Sequence, residues 1–402
     1  MKTTSIVLSI ASVALLALFF RPAFLNSRLW RATVTPLASI IGSGFLVAGP
    51  ILAHAVGHWA WLAMLGLCAA AYLFGAAIRD NIAHVEPTLD TAPLVVTVIE
   101  RLSDWALSGA YFVSVAYYLN LFAAFGLRLG DVIDPFSIRV ASTTVIAALG
   151  VLGATKGLRG LEHLEVAAVG LKLSVIGGLF ATLMFANFQA WTDGTFAWTV
   201  HADVGGFEQF RILLGLLILV QGFETSRYLG EEYDTATRIR TMRWAQWIAT
   251  GIYLVFMILV TRYFAGSLPE KGGETAIIDI LSPVGAALAP TIIIAALASQ
   301  LSAATADMNG AGGLIAETSR KRVSVKIGNL VTAAVAIAIT WAANIYEIIA
   351  IASQVFVAYY ALQSLQATLS AWRRGATMRA AIFAAATVLA VFIVIFAIPA
   401  DA

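Results

Sequence analysis

Ala38-Ser39-Ile40-Ile41-Gly42-Ser43-Gly44-Phe45 interrupts an apolar run with two glycines set around a serine. Glycine lowers the cost of leaving helical geometry, and a bilayer core tolerates irregular backbone only where protein or a water-filled cavity satisfies its freed amides and carbonyls. About 180 residues later, Leu219-Val220-Gln221-Gly222-Phe223-Glu224-Thr225 repeats the device and adds a carboxylate. Two such breaks predict a transporter whose ligand binds where they meet.

The rest of the chain fits that expectation. Of its 402 residues 60% are hydrophobic and only 12% charged, far from the balance of a soluble domain. A net charge of +2 with no basic stripe excludes a nucleic-acid footprint. The single cysteine, Cys68, leaves no disulfide framework and no cysteine-based metal site, and no cofactor motif is present. Enzymatic function is not expected, because no nucleophile–base pair, metal set or phosphate loop has usable spacing.

Apolar stretches long enough to cross a bilayer begin near residues 3, 33, 58, 103, 138, 163, 208, 244, 282, 324, 345 and 380. They predict an all-α integral membrane protein of about 12 transmembrane helices. The first stretch has a basic start and a short apolar core, like a signal peptide, yet Arg21 follows it without a small-residue cleavage site. It reads as a retained helix. Lys and Arg gather in short cytoplasmic loops, and Arg21, Arg28, Arg31, Arg79, Arg101, Arg227, Arg238, Arg240, Arg243, Arg320, Lys321 and Arg322 fall on one face. Both termini are then outside a cytoplasmic (inner) cell membrane. The spans divide into an extra N-terminal helix (1–30), a first five-helix repeat (31–187), an external loop (188–206), a second repeat (207–375) and an extra C-terminal helix (376–402). An odd number of spans in each set places the halves in opposite orientations, a 5+5 inverted repeat.

Each break carries its own chemistry. Amides of Gly42, Ser43 and Gly44, opening a new half-helix, attract an anion such as a carboxylate, although membrane glycines also serve close helix packing. At the second break, carbonyls ending a half-helix suit a cation or ammonium group. Glu224 could bind or relay a proton there, pair with Arg227, or cap the next half-helix. Lys172 is the only basic residue deep inside a span, about nine residues into its helix. That depth is roughly 13 Å at the helical rise, hard to reach by snorkelling, and intramembrane charges are usually functional. Asp307 shares a helix face with Ala303; a Lys172–Asp307 pair is expected, either tracking the transport cycle or simply joining two helices. Tyr111, Tyr117, Tyr118 and above all Asn120 are candidate pocket residues. His54 and His58 are spaced by four but have no carboxylate or cysteine with them, so no metal site is assigned.

Ile40-Ile41-Gly42-Ser43-Gly44 followed by Pro50, together with Gly222-Phe223-Glu224-Thr225-Ser226 running into Gly230-Glu231-Glu232 and Arg238, resembles the amino acid-polyamine-organocation (APC) superfamily over about residues 31–375. The resemblance implies a leucine-transporter-like fold whose core helices 1 and 6 are discontinuous. It implies that amides around Ser39, Ile41, Gly42, Ser43 and Gly44 hold a substrate carboxylate. Carbonyls near Gln221, Gly222 and Phe223 would hold its amino group, with Phe223 as a gate. Lys172 resembles the lysine on the fifth core helix whose ammonium stands in for sodium, while Ser302 and Thr305 on the eighth core helix are the hydroxyls that would otherwise bind that ion. Ala303 removes one such ligand.

The expected function is secondary active transport of amino acids or related small zwitterions or amines by alternating access. The expected coupling is to protons or by exchange, through Glu224, Lys172 and Asp307. The partners are a small-molecule substrate, protons and the lipid bilayer. Sodium-coupled symport of a small organic solute is the nearest alternative, and a membrane sensor that binds without transport is the more distant one.

Overall fold

The computed structural model describes residues 2–42, 44–157, 165–198, 206–230, 232–264, 273–285 and 287–400. Among them there is no strand. The helices are α1 (Lys2–Phe19), α2 (Pro22–Leu25), α3 (Arg28–Ile40), α4 (Gly44–Val56), α5 (Ala60–His84), α6 (Leu94–Leu127), α7 (Pro135–Thr155), α8 (Glu165–Thr192), α9 (Phe207–Leu214), α10 (Thr235–Val260), α11 (Ala276–Leu281), α12 (Leu288–Thr318), α13 (Val325–Ala342), α14 (Ile345–Arg373) and α15 (Thr377–Phe396).

Short polar side chains start several of them. Ser27, Asp134, Asp234 and Ser324 each accept a hydrogen bond from a first-turn amide of α3, α7, α10 and α13, and Asn344 with Glu347 forms a capping box on α14. The Thr237 amide and hydroxyl hold the exposed Asp234 carboxyl below its usual range. That cap starts α10 nine residues before the expected position near 244: the Arg238–Arg243 stretch is helix, not loop. Likewise α6 begins at Leu94 rather than 103 and has 34 residues. At 1.5 Å per residue it is about 50 Å long, well beyond a 30 Å hydrocarbon core, so its first turns, which carry Glu100 and Asp104, can lie outside the lipid.

Nine helical stretches among the described residues are long and apolar enough to cross a membrane. The chain is a multipass membrane protein. The count differs from about 12 for three reasons: Arg28–His84 runs almost continuously through α3, α4 and α5, Thr3–Phe19 is shorter than a full span, and residues 207–229 contain only one short α-helix. The short helix α11 was not anticipated, because six residues carry no periodic signal.

Packing follows a paired pattern. α5 packs on α10, α6 on α12, α7 on α13, and α3 on the turn at 223–229. The first helix, α1, lies on α8 and the last, α15, on α14. Glycines let backbones meet. A Cβ on Gly178 of α8 would lie 2.0 Å from Ser12 Oγ and 2.9 Å from the Leu8 carbonyl oxygen of α1. Gly178→Leu is therefore expected to undock α1 and lower stability by about 1–3 kcal/mol, the usual penalty of overpacking. Thermal unfolding in detergent checks this, with Gly66→Leu, at a site open to its surroundings, as the control.

Candidate functional site

The two interruptions foreseen from glycine and polar residues are both present, and they touch. The first helix stops at Ile40, Ile41 leaves helical geometry with φ −83° and ψ 28°, and α4 starts at Gly44. Ser43 lies outside the described residues. The second helix is more irregular. After α9 come a 3-10 turn at Leu217–Val220, an extended Gln221, Gly222 at φ +113° and a 3-10 run over Phe223–Leu229. Ser353 of α14 braces its first half, accepting from the Ile218 amide at 2.8 Å and donating to the Gly215 carbonyl at 2.6 Å.

Glycine is required where the two broken segments cross. A Cβ on Gly222 would sit 2.4 Å from Ser39 Oγ and 2.8 Å from the Ile40 nitrogen; one on Gly44 would sit 2.8 Å from the Leu219 carbonyl oxygen. The left-handed φ of Gly222 independently disfavours any side chain.

The carbonyls freed by the breaks find two donors. Lys172 of α8, only 2% exposed, donates from Nζ to the carbonyls of Ala38 at 3.1 Å and Ile41 at 3.2 Å. The Tyr253 hydroxyl of α10 is 2.8 Å from the Ile40 carbonyl oxygen and also reaches that of Leu219. One side chain thus ties both breaks together. Tyr253 was missed from sequence, since a tyrosine within an apolar helix resembles any other core aromatic.

Two buried carboxylates face this crossing. Glu224 Oε2 accepts from the Gly222 amide at 3.0 Å and the Tyr360 hydroxyl at 2.8 Å. The Tyr360 ring stacks on Phe223 at 5.0 Å and on Phe74 at 5.4 Å. Arg227 is not the partner of Glu224: its guanidinium pairs with Glu100. Asp307 accepts from the Ser114 hydroxyl of α6. In this conformation Lys172 and Asp307 therefore have different partners, and the expected pair is replaced by a lysine on main-chain carbonyls and an aspartate on a serine.

One face of α6 lines the crossing. Tyr111, Ser114 and Tyr118 stand at helical spacings of three and four residues. Ser114 reaches Asp307, and the Tyr118 hydroxyl accepts from Gln221 Nε2 at 3.0 Å. Asn120 does not join them. Two residues on a helix are about 200° apart, so Asn120 turns away and donates to the Ala116 carbonyl at 2.7 Å and to Thr340 Oγ1 of α13 at 2.8 Å. Its oxygen accepts from Ser142 of α7 at 3.3 Å. On α12, the Thr305 hydroxyl donates to the Ser302 carbonyl at 2.9 Å. Buried beside the breaks, Ser39 Oγ, Gln221 Oε1 and Glu224 Oε1 have no hydrogen-bond partner among the described residues.

Ion pairs stand near both ends of α6. On the arginine-rich face, Arg227 bonds Glu100 and Gln363, Gln366 donates to Glu100 at 2.8 Å, and Asn81 donates to Gln363 Oε1 at 2.9 Å. Arg238 is 3% exposed. It grips Glu86 through both terminal nitrogens, at 3.0 and 2.7 Å. At the opposite end Arg128 of α6 pairs with Asp279 of α11. Nearby, burial raises the Glu274 carboxyl, opposed by its own backbone hydrogen bond and by Arg128.

A family model for APC superfamily transporters matches residues 22–397. A protein of Aquifex aeolicus (strain VF5) is 40% identical over 391 residues, covering 96% of this chain and 95% of its own length. Among solved structures, a Na+-coupled sialic acid symporter in its substrate-bound outward-open state is similar with a TM-score of 0.54 at 14% identity, over 96% of each chain. A manganese transporter of Eremococcus coleocola is similar with a TM-score of 0.53 at 15% identity, over 92% of this chain and 87% of that one. At such identities these two likenesses speak to the fold alone.

Proposed function

We propose, from the premise that this chain belongs to the APC superfamily of transporters, that it moves a small amine-bearing solute, an amino acid or related zwitterion, across a cytoplasmic membrane by alternating access. Both termini would face outward. The observation that carries the substrate class is the set of buried oxygens without partners at the crossing, Ser39 Oγ, Gln221 Oε1 and Glu224 Oε1. Unpaired buried acceptors are costly. A ligand ammonium supplies three donors and a positive charge for Glu224, while the amides of the Gly42–Gly44 segment would receive the ligand carboxylate.

The 5+5 inverted repeat is supported by the packing pairs: α5 with α10, α6 with α12, α7 with α13, and the accessory helices α1 on α8 and α15 on α14. Each pairing joins an element of one half to its counterpart in the other, or repeats the same relation in both halves. The two discontinuous helices would then be core helices 1 and 6. Ion pairs at both ends suit an occluded stage of the cycle, with Phe223 and Tyr360 as the layer between ligand and the arginine-rich face.

For energetics, the Lys172 ammonium already occupies carbonyls that a cation would need, which favours proton coupling or exchange over sodium. Glu224 and Asp307, buried and each held by hydroxyl donors, are the proton-carrying candidates. The test is uptake of a radiolabelled amino acid and amine panel into proteoliposomes under imposed gradients. A proton gradient is expected to drive accumulation, and Asp307→Asn to abolish gradient-driven uptake while leaving exchange of preloaded substrate. Accumulation driven by sodium alone would reject the coupling, and binding without movement would identify a sensor.

A further inference from the structure

We infer that the seam between α5 and α10 holds the headgroup phosphate of a membrane phospholipid, gripped by Arg79 and Arg243. The inference stands apart from the transport reading, since neither arginine touches the crossing of the breaks.

Arg79 is 6% exposed yet has no carboxylate partner among the described residues. The carboxylates flanking it in the chain are engaged elsewhere: Asp80 with Arg374 at 2.5 Å and Arg379 at 3.3 Å, and Glu86 with Arg238. Its guanidinium instead donates to Gln246 Oε1 of α10 and lies 4.7 Å from the Tyr72 ring centroid. A buried guanidinium bonded mainly to a neutral amide keeps its charge uncompensated, and that is expensive unless an anion is supplied.

The second cation stands on the facing helix. Arg243, Gln246 and Trp247 fall at i, i+3 and i+4, on one face of α10, and Tyr72, Gly75 and Arg79 share a face of α5 at i, i+3 and i+7. The two faces meet closely: a Cβ on Gly75 would lie 2.5 Å from Gln246 Nε2, while Tyr72 stacks on Trp247 at 6.4 Å and 14°. Arg243 is exposed and stands one helical turn before Gln246, the residue that Arg79 bonds. Neither arginine has an ion-pair partner among the described residues. Trp247, 56% exposed on the outer surface of a membrane helix, is the kind of aromatic that sits among headgroups and acyl chains. Paired guanidinium forks match the oxygens of a phosphate. The position beside lipid, rather than in a solvent cleft, selects a phospholipid over a free anion.

Native mass spectrometry of the full-length protein in neutral detergent, titrated with phosphatidylglycerol, phosphatidylcholine, diacylglycerol and inorganic phosphate, tests this. Both phospholipids are expected to bind, phosphatidylglycerol more tightly, and diacylglycerol not at all. Arg243→Gln should weaken phosphatidylglycerol about fivefold, as for one cation lost at an anionic leaflet. Arg373→Gln, exposed on α14, should leave it unchanged. Equal binding by wild type and Arg243→Gln would overturn the assignment, as would an equal loss in Arg373→Gln, which would mean diffuse charge. Displacement of phosphatidylglycerol by inorganic phosphate at the same concentration would show a free-anion site instead.

Discussion

Gly222→Ala is expected to abolish transport and to destabilise the fold by about 2–5 kcal/mol. Two independent penalties add. Alanine at φ +113° occupies backbone space that costs of order 1–3 kcal/mol for a residue with a side chain. Its methyl would also meet Ser39 Cβ at 2.6 Å and the Ile40 nitrogen at 2.8 Å, and main chain cannot swing aside as a flexible side chain can. The pair of breaks would have to separate, taking the Glu224 hydrogen bond to the Gly222 amide with it. Thermal unfolding of the purified protein gives the stability, and reconstituted uptake the function. Gly251→Ala, on α10 with no atom within 4 Å, should match wild type in both. A Gly222→Ala protein with normal uptake would mean that the breaks need not touch.

Lys172→Met lowers uptake about 10- to 100-fold. The ammonium makes charge-assisted hydrogen bonds to the Ala38 and Ile41 carbonyls, each of order 1.5–3 kcal/mol when a charge is involved. Methionine fills similar volume without a donor, so the carbonyls at the end of α3 are left buried and unpaired. Lys172→Arg should not rescue, because a planar fork cannot replace a compact point charge between two carbonyls three residues apart. Uptake is to be read beside ligand-protected thermal stability, which separates a damaged transport cycle from a misfolded protein. If Lys172→Met transports normally, the lysine serves packing only. Sodium-dependent uptake appearing in Lys172→Ala, where the carbonyls are freed, would support the ammonium as a built-in substitute for an ion.

Much of the candidate site could be read from single residues. A glycine pair in an apolar run, a carboxylate beside a second glycine, and a lysine deep in a span are all anomalous in lipid, so Gly42, Gly44, Gly222, Glu224 and Lys172 stood out without any coordinates. Asn120 also stood out, but here it bonds Thr340 and Ser142: polarity marks a residue as partnered but not by what. Its neighbour Tyr118, ordinary by composition, faces Gln221 because a helix turns about 200° over two residues. Tyr253 and Tyr360 were likewise hidden, each holding main-chain or carboxylate oxygens through a hydroxyl that sequence cannot aim.

Boundaries show the same division. Hydropathy marked the apolar stretches, more of them than the nine membrane-length ones described, and began α6 and α10 nine residues late, because charged turns at a membrane face look like loops until a cap such as Asp234 is seen to start a helix.

By itself the amino-acid sequence determined that this chain lives in lipid and where its helices must break, since an apolar solvent punishes every charge and every irregular amide wherever it falls in the chain. Only the tertiary structure decided which partners those groups meet. Lys172 chose main-chain carbonyls over Asp307, and Arg227 chose Glu100 over Glu224, because hydrogen bonds and ion pairs act over a few ångströms between helices whose rotation and depth no local pattern records.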